Sequence, residues 1–234
     1  MQARLDADSK GFFNAFNQPL LRQSRHPFVL GRHADAHEFF ACLIDVLESE
    51  DKSFTSDLKI TERIWLECQT CAMKWQAAQD DVTQCIPLKL DSLRETVTLD
   101  HAISQYCRWS LAPNLQCIIC PSRTQIYKTH RIAGFAKSVI FNIGRFSYDQ
   151  KRKETVKINT RITLPLIIDI ELFDDNSRES YATESVSLTG VIVLIGRSAQ
   201  SGHYIAALKN PSGVWYYYDD DITQSIEINE FLQT

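Results

Sequence analysis

Two short stretches, Cys68-Gln-Thr-Cys71 and Cys117-Ile-Ile-Cys120, restrict this chain more than any other feature. Each Cys-x-x-Cys can present two thiolates on a tight turn, and together they supply the four sulfurs of a closed tetrahedral zinc site. One pair alone could equally be a redox couple, and unconnected core cysteines would ligate nothing. The 45 residues from 72 to 116 are too many for a compact finger. They predict two hairpin tips clamped together at the end of a long sheet, where a structural zinc compensates for a small local core. Cys42, Cys85 and Cys107 are left over, and Cys42 falls on the Phe39 and Val46 side of a helical stretch, as a buried apolar side chain would.

The rest of the composition narrows the class. At 234 residues and 44% hydrophobic, the chain can bury a core, as one large domain over 1–234 or one domain with a protruding subdomain. A net charge of -4 disfavours a nucleic-acid partner. The first residues, MQARLDADSKGFFNAF, lack the apolar core of a signal peptide, and no apolar run reaches the roughly 20 residues that cross a bilayer. A cytoplasmic and/or nuclear protein with no membrane contact is expected, and in such a reducing compartment seven cysteines do not read as a disulfide framework.

The stretch DAHEFFACLIDVLE, 35–48, has apolar residues at helical spacing, and Asp35 with Glu38 three residues on suits a capping box. From about residue 60 the pattern changes to short apolar or alternating runs: ERIWLEC, QCIPLKL, SVIFNIGRF, VKINTRITLPL and TGVIVLIG. A short helix over 98–107, capped by Asp100, interrupts them. The fold class expected is α+β: a helical N-terminal part, then antiparallel sheet.

Near the C-terminus, HYIAALK and VWYYY flank the turn NPSG. A four-residue loop over 210–213 pairs Lys209 with Val214 and places His203 opposite Asp220; a single bulge would shift the partner to Asp219. A carboxylate facing an imidazole orients the ring and stabilises its charged form. An exposed hairpin ending in an acidic turn would show the same residues. Gly202 tilts the balance, because a missing side chain lets another backbone or an extended ligand come close.

Taken in order, these elements resemble the ubiquitin-specific protease family of cysteine deubiquitinases. HADAHEFFACLIDVLE is similar to its acidic helix, the two cysteine knuckles to its zinc-binding fingers, VIFNIGRFSYD to its Leu-x-Arg-Phe strand, and YATESVSLTGVIVLIGRSAQSGHYIAALKNPSGVWYYYDDDIT to its histidine box. The resemblance implies a papain-like cysteine protease fold with a thumb helix at 35–48, fingers over about 58–125 and a palm sheet over about 135–230. It also implies roles: His203 as general base, Asp219 as its orienting residue, Asp220 as a neighbour that assists in some relatives. Asp35, Glu38, Gly202 and Tyr204 would meet the tail of ubiquitin, and Cys68, Cys71, Cys117 and Cys120 would hold zinc. Ubiquitin or a ubiquitinated protein is the implied partner, and thiol-dependent removal of ubiquitin the implied reaction.

There are departures. The family's nucleophile lies in a Gly-Asn-x-Cys-Tyr-x-Asn box upstream of the acidic helix, and no stretch of that form occurs in these residues. The resemblance therefore implies a chain without its nucleophile segment and with an incomplete thumb. The family's glutamine before the acidic helix is His33 or Ala34 here, and a histidine expected in VIVLIG is Leu194. The competing expectations are a catalytically inactive ubiquitin-binding or scaffold protein, and a zinc-stabilised interaction module unrelated to ubiquitin.

Overall fold

In a computed structural model, residues 34–120, 124–150, 153–173, 181–198 and 201–232 are described. They form two compact units, one within 1–54, 146–158 and 187–234, the other within 55–145 and 159–186.

The second unit is organised by two long strands, Ile60–Cys68 and Ile126–Phe135, paired antiparallel from Ile60↔Phe135 to Cys68↔Ile126 with a bulge between Thr61 and Glu62. Both are rich in β-branched and aromatic residues, which suit a half-buried pleated surface. Lys74–Gln76 and Asp81–Thr83 pair with the first strand, and Ser110–Leu111 with the second. At the base of the pair lies the main core of Ile60, Ile86, Leu88, Leu99, Ala102, Ile132, Ile168, Ile170 and Leu172. Alternation builds it, broken only where Phe173 is buried beside Leu172. In Ile86–Lys89, Ile86 and Leu88 point in; in Ile167–Phe173, Ile168, Ile170 and Leu172 do.

The helix expected over 98–107 is Leu99–Tyr106. Its cap is Thr98 rather than Asp100: Thr98 keeps extended backbone and its Oγ1 accepts from His101 N–H at 3.2 Å. Asp100 lies in the first turn instead, where its charge favours the helix N-terminus.

The first unit carries the helix Ala36–Glu50, with Asp35 Oδ1 accepting from the N–H groups of His37 and Glu38, both at 2.9 Å. Ile44 and Val46 are buried and Cys42 is half-buried. Its sheet is an antiparallel meander of Gly190–Ser198, Ser201–Lys209, Trp215–Asp219 and Ile222–Ile226. Ala207, Trp215 and Ile228 form the core there, with Ile226, Phe231 and Leu232 against them.

The register expected for the hairpin is corrected by one residue. Lys209 pairs with Trp215, not Val214. Asn210 causes the difference: its N–H donates to the Val214 carbonyl, its carbonyl accepts from Gly213 N–H, and its Oδ1 accepts from Val214 N–H, each at 2.9 Å. Those bonds fold 210–214 into a five-residue loop, with Gly213 at φ +88°.

Candidate active site and metal centre

His203 bonds Asp219, not Asp220, through Nε2 and Oδ1. Period-two alternation puts His203 on the face of Ile205 and Ala207, and Asp219 on the face of Tyr217 and Trp215, so both project from the side on which this sheet packs its core. The ladder between the two strands ends at Ala206↔Tyr218, and beyond it the side chains make the connection. Asp220 follows at φ 48° in the two-residue turn closed by Asp219↔Ile222, a left-handed conformation that Asp tolerates. Single ligand atoms of His203, Asp219 and Asp220 lie within 4.8 Å of one another.

Sequence reasoning missed Tyr217. Its hydroxyl donates to Asp219 Oδ2 at 2.8 Å, and its ring packs edge-on against Phe231 at 6.0 Å. The alternation of WYYYD held the signal, since residues 217 and 219 share a face. The electrostatics follow from these bonds. The Asp219 hydrogen bond, assisted by the charges of Asp219 and Asp220, lifts the His203 pKa above its ordinary value. His203 first and Tyr217 second hold the Asp219 carboxyl below the usual range. With Nε2 committed to Asp219, Nδ1 is the ring nitrogen able to take a proton from a nucleophile.

The four residues assigned to a peptide tail lie in the same unit. Asp35 and Glu38 are exposed at the helix start. Tyr204 OH accepts from Ala36 N–H at 3.1 Å, which satisfies a helix N–H that has no partner in its own helix. Gly202 is approached by its neighbouring strand: a Cβ there would stand 2.5 Å from Leu194 Cδ1 and 3.0 Å from the Ile195 carbonyl oxygen. The space the glycine leaves is thus used by Leu194. His33 lies outside the described residues.

In the other unit the two knuckles meet. Cys68 Sγ is 3.9 Å from Cys120 Sγ, Cys71 Sγ is 3.7 Å from Cys117 Sγ, and all four sulfurs lie within 4.8 Å of one another. Sulfurs about 2.3 Å from a tetrahedral zinc stand about 3.8 Å apart, so the cluster fits that ion. The separations are far beyond the ~2.05 Å of a disulfide. Ala72, at φ 55°, closes the first knuckle with its N–H on the Cys68 carbonyl, and Ile119 N–H points at Cys117 Sγ at 3.4 Å. The Cys71 N–H lowers the Cys68 thiol pKa, whereas neighbouring thiols push Cys120 up. A metal is therefore what would let all four ionise together.

The family model for ubiquitin carboxyl-terminal hydrolases matches residues 14–233. Ubiquitin carboxyl-terminal hydrolase 13 of Saccharomyces cerevisiae is 22% identical over 241 residues, covering 92% of this chain and 31% of that protein. Ubiquitin carboxyl-terminal hydrolase 12 of Salmo salar is 28% identical, over 90% of this chain and 64% of that protein. The chain thus spans about a third of the length of the yeast relative. Among solved structures, the SAGA Ubp8/Sgf11/Sus1/Sgf73 DUB module bound to ubiquitin aldehyde matches with a TM-score of 0.72 at 17% identity, over 86% of this chain and 47% of that one. The same module bound to monoubiquitin gives 0.69 at 18%. Together with the mixed helix and strand content, these matches give the chain the α+β fold of ubiquitin-specific proteases, and it belongs to the ubiquitin carboxyl-terminal hydrolase family.

Proposed function

We propose that this chain carries the general base, the ubiquitin-binding surface and the zinc-held fingers of a thiol-dependent deubiquitinase. The observation that carries the reading is the His203 and Asp219 bond, which leaves Nδ1 free as a base. In the reaction, a cysteine thiol gives its proton to Nδ1 and attacks the carbonyl carbon of the bond joining ubiquitin to a lysine; the imidazolium then protonates the leaving amine. Asp219 fixes the ring and supports its positive charge, Tyr217 fixes Asp219, and Asp220 adds negative charge nearby. Asp35 and Glu38 offer carboxylates to the basic tail of ubiquitin, with Gly202 and Tyr204 lining its approach. Helix 36–50 then serves as the thumb helix, the end of strands 60–68 and 126–135 as fingers, and the meander as palm. Cys68, Cys71, Cys117 and Cys120 would hold zinc, which supplies folding energy at the finger end and takes no part in the chemistry.

One observation favours a second reading, a ubiquitin-binding protein without turnover. Cys42 is the cysteine described in the unit of His203, and burial with the charges of Asp45 and Glu38 raises its pKa, the reverse of an activated thiol. Titration with ubiquitin and labelling with a ubiquitin probe bearing a C-terminal thiol-reactive group separate the two. Binding with labelling supports the enzyme, binding without labelling the second reading, and a folded, zinc-loaded sample that does not bind ubiquitin overturns both.

A further inference from the structure

Strands 60–68 and 126–135 are apolar at their ends and polar in the middle. Ile60 and Ile132 belong to the main core, and Leu66, Cys68 and Ile126 to the small cluster at the cysteine end. Between them lie Glu62, Arg63 and Thr129, at 4%, 7% and 1% exposure, with His130 beside them. Arg63 is paired with Asp80, and the Thr129 hydroxyl donates to the Cys107 carbonyl at 2.5 Å. Among the described residues, Glu62 lacks a full set of hydrogen-bond donors. Its Oε2 accepts from Tyr106 OH at 3.1 Å, while Oε1 is buried without a hydrogen bond.

The ring of His130 stands over this gap. Its Nδ1 is 3.4 Å from Tyr106 OH and 4.0 Å from Glu62 Oε1, and the two rings are 5.1 Å apart. Since the single Tyr106 proton goes to Glu62, Nδ1–H must be the donor to the phenol oxygen, which leaves Nε2 to take any further proton. Burial acts in opposite senses on the two titrating groups, raising Glu62 and lowering His130. The other charges facing them are Asp81, which acts on Glu62, Tyr106 and His130, and Lys128 beside His130. The Cys107 thiol, pushed up by burial to about 11, is neutral at working pH, with Arg131 and Glu171 facing it.

We propose that Glu62, Tyr106 and His130 form a proton-sharing relay: the folded waist between core and fingers keeps one proton, on the Glu62 carboxyl or on His130, over the mildly acidic range in which an unfolded histidine also keeps one. The pair then carries no net charge, because either the Glu62 carboxyl is neutral or its Oε1 faces the imidazolium at 4.0 Å, and folding neither takes up nor releases a proton there. The junction between core and fingers is insensitive to pH by compensation. Glu62 alone would contribute stability that is present below about pH 4.5 and lost as pH rises through its raised pKa. His130 alone would contribute the opposite slope, with stability lost as pH falls below about 6.5.

The test is the unfolding equilibrium of the zinc-loaded chain from pH 5 to 7.5, read by hydrogen exchange of amides in the two strands. Relative to the wild type, Glu62→Gln should raise the unfolding constant as pH falls, His130→Gln should raise it as pH rises, each by up to about tenfold per pH unit, and the double variant should run parallel to the wild type. A flat ratio for either single variant, or a sloping double variant, overturns the proposal. In the wild type itself, the Glu62 carboxyl carbon and the His130 ring should titrate with one shared midpoint by NMR. Two unrelated midpoints overturn it even if a variant fails to fold.

Discussion

The cysteine end of strands 60–68 and 126–135 and the His203 end of the meander are held by different physics. Among the described residues, the buried apolar set around the cysteines is small, Leu66, Cys68, Ala112, Cys117 and Ile126, and two of these belong to the four thiols proposed to hold a metal, so the proposal makes the metal the main clamp on the two knuckles. His203 and Asp219 need no such clamp. They project beside the core of Ala207, Trp215 and Ile228, which has already set their strands. The first site is part of the fold's stability, and the second is a passenger on it. Losses at the first should be structural, and losses at the second chemical.

The largest effect that can break this contrast is metal removal. Chelation, or Cys68→Ser, should abolish hydrogen-exchange protection at the cysteine end of both strands, because structural zinc contributes on the order of 10 kcal/mol to such sites. Zinc released on denaturation should fall in parallel, while amides of strand 201–209 stay protected. A chelated sample with unchanged protection would show that the apolar cluster suffices.

Leu88→Ala comes next. Leu88 is 1% exposed in the main core, and truncation should cost about 2–5 kcal/mol in denaturant unfolding. Zinc stoichiometry in the folded protein should not change, because the cavity lies at the base of the strands and the ligands at their far end.

Asp219→Asn should leave stability almost untouched and change titration instead. His203 has its pKa raised in the fold by Asp219, so whatever stability the pair contributes is present below about pH 6.5 and fades as pH rises through the raised value. The pair is exposed to water, which keeps that contribution small. An NMR titration should show the His203 midpoint falling toward the ordinary histidine range in Asp219→Asn; an unmoved midpoint would detach the ring from the carboxylate.

How far each region was legible in the sequence follows the same division. The knuckles were legible because ligand spacing is local: Cys68 with Cys71 and Cys117 with Cys120 declare themselves, and only one partner of each kind exists. Helix 36–50 was legible with its Asp35 cap, as were the alternating strands. The partner of His203 was not decided: the register set by the Asn210 loop counts His203 opposite Asp221, and its bond to Asp219 reaches diagonally to a residue on the same face, which no count of loop length supplies. Thr98 was overlooked as a cap because it also ends a strand. The Glu62, Tyr106 and His130 cluster brings together three elements that no spacing rule connects.

Tyr217→Phe is the smallest perturbation and the sharpest. It removes one donor from Asp219 Oδ2 and leaves the ring against Phe231, so neither the meander nor the His203 bond should be lost. Asp219 then keeps the depression that comes from His203, through its hydrogen bond and its charge, and its carboxyl should titrate at somewhat higher pH. A carboxylate relieved of one donor is a stronger acceptor for Nε2–H, yet it is freer to rotate. The first consequence raises the His203 midpoint and the second broadens its orientation. A midpoint that rises slightly, by a fraction of a unit, assigns Tyr217 to tuning the acid; a midpoint that falls, as in Asp219→Asn, assigns it to holding the acid in place. The second outcome would make the exposed dyad depend on Phe231 and the short C-terminal helix through the Tyr217 ring, and would narrow the contrast with the cysteine end.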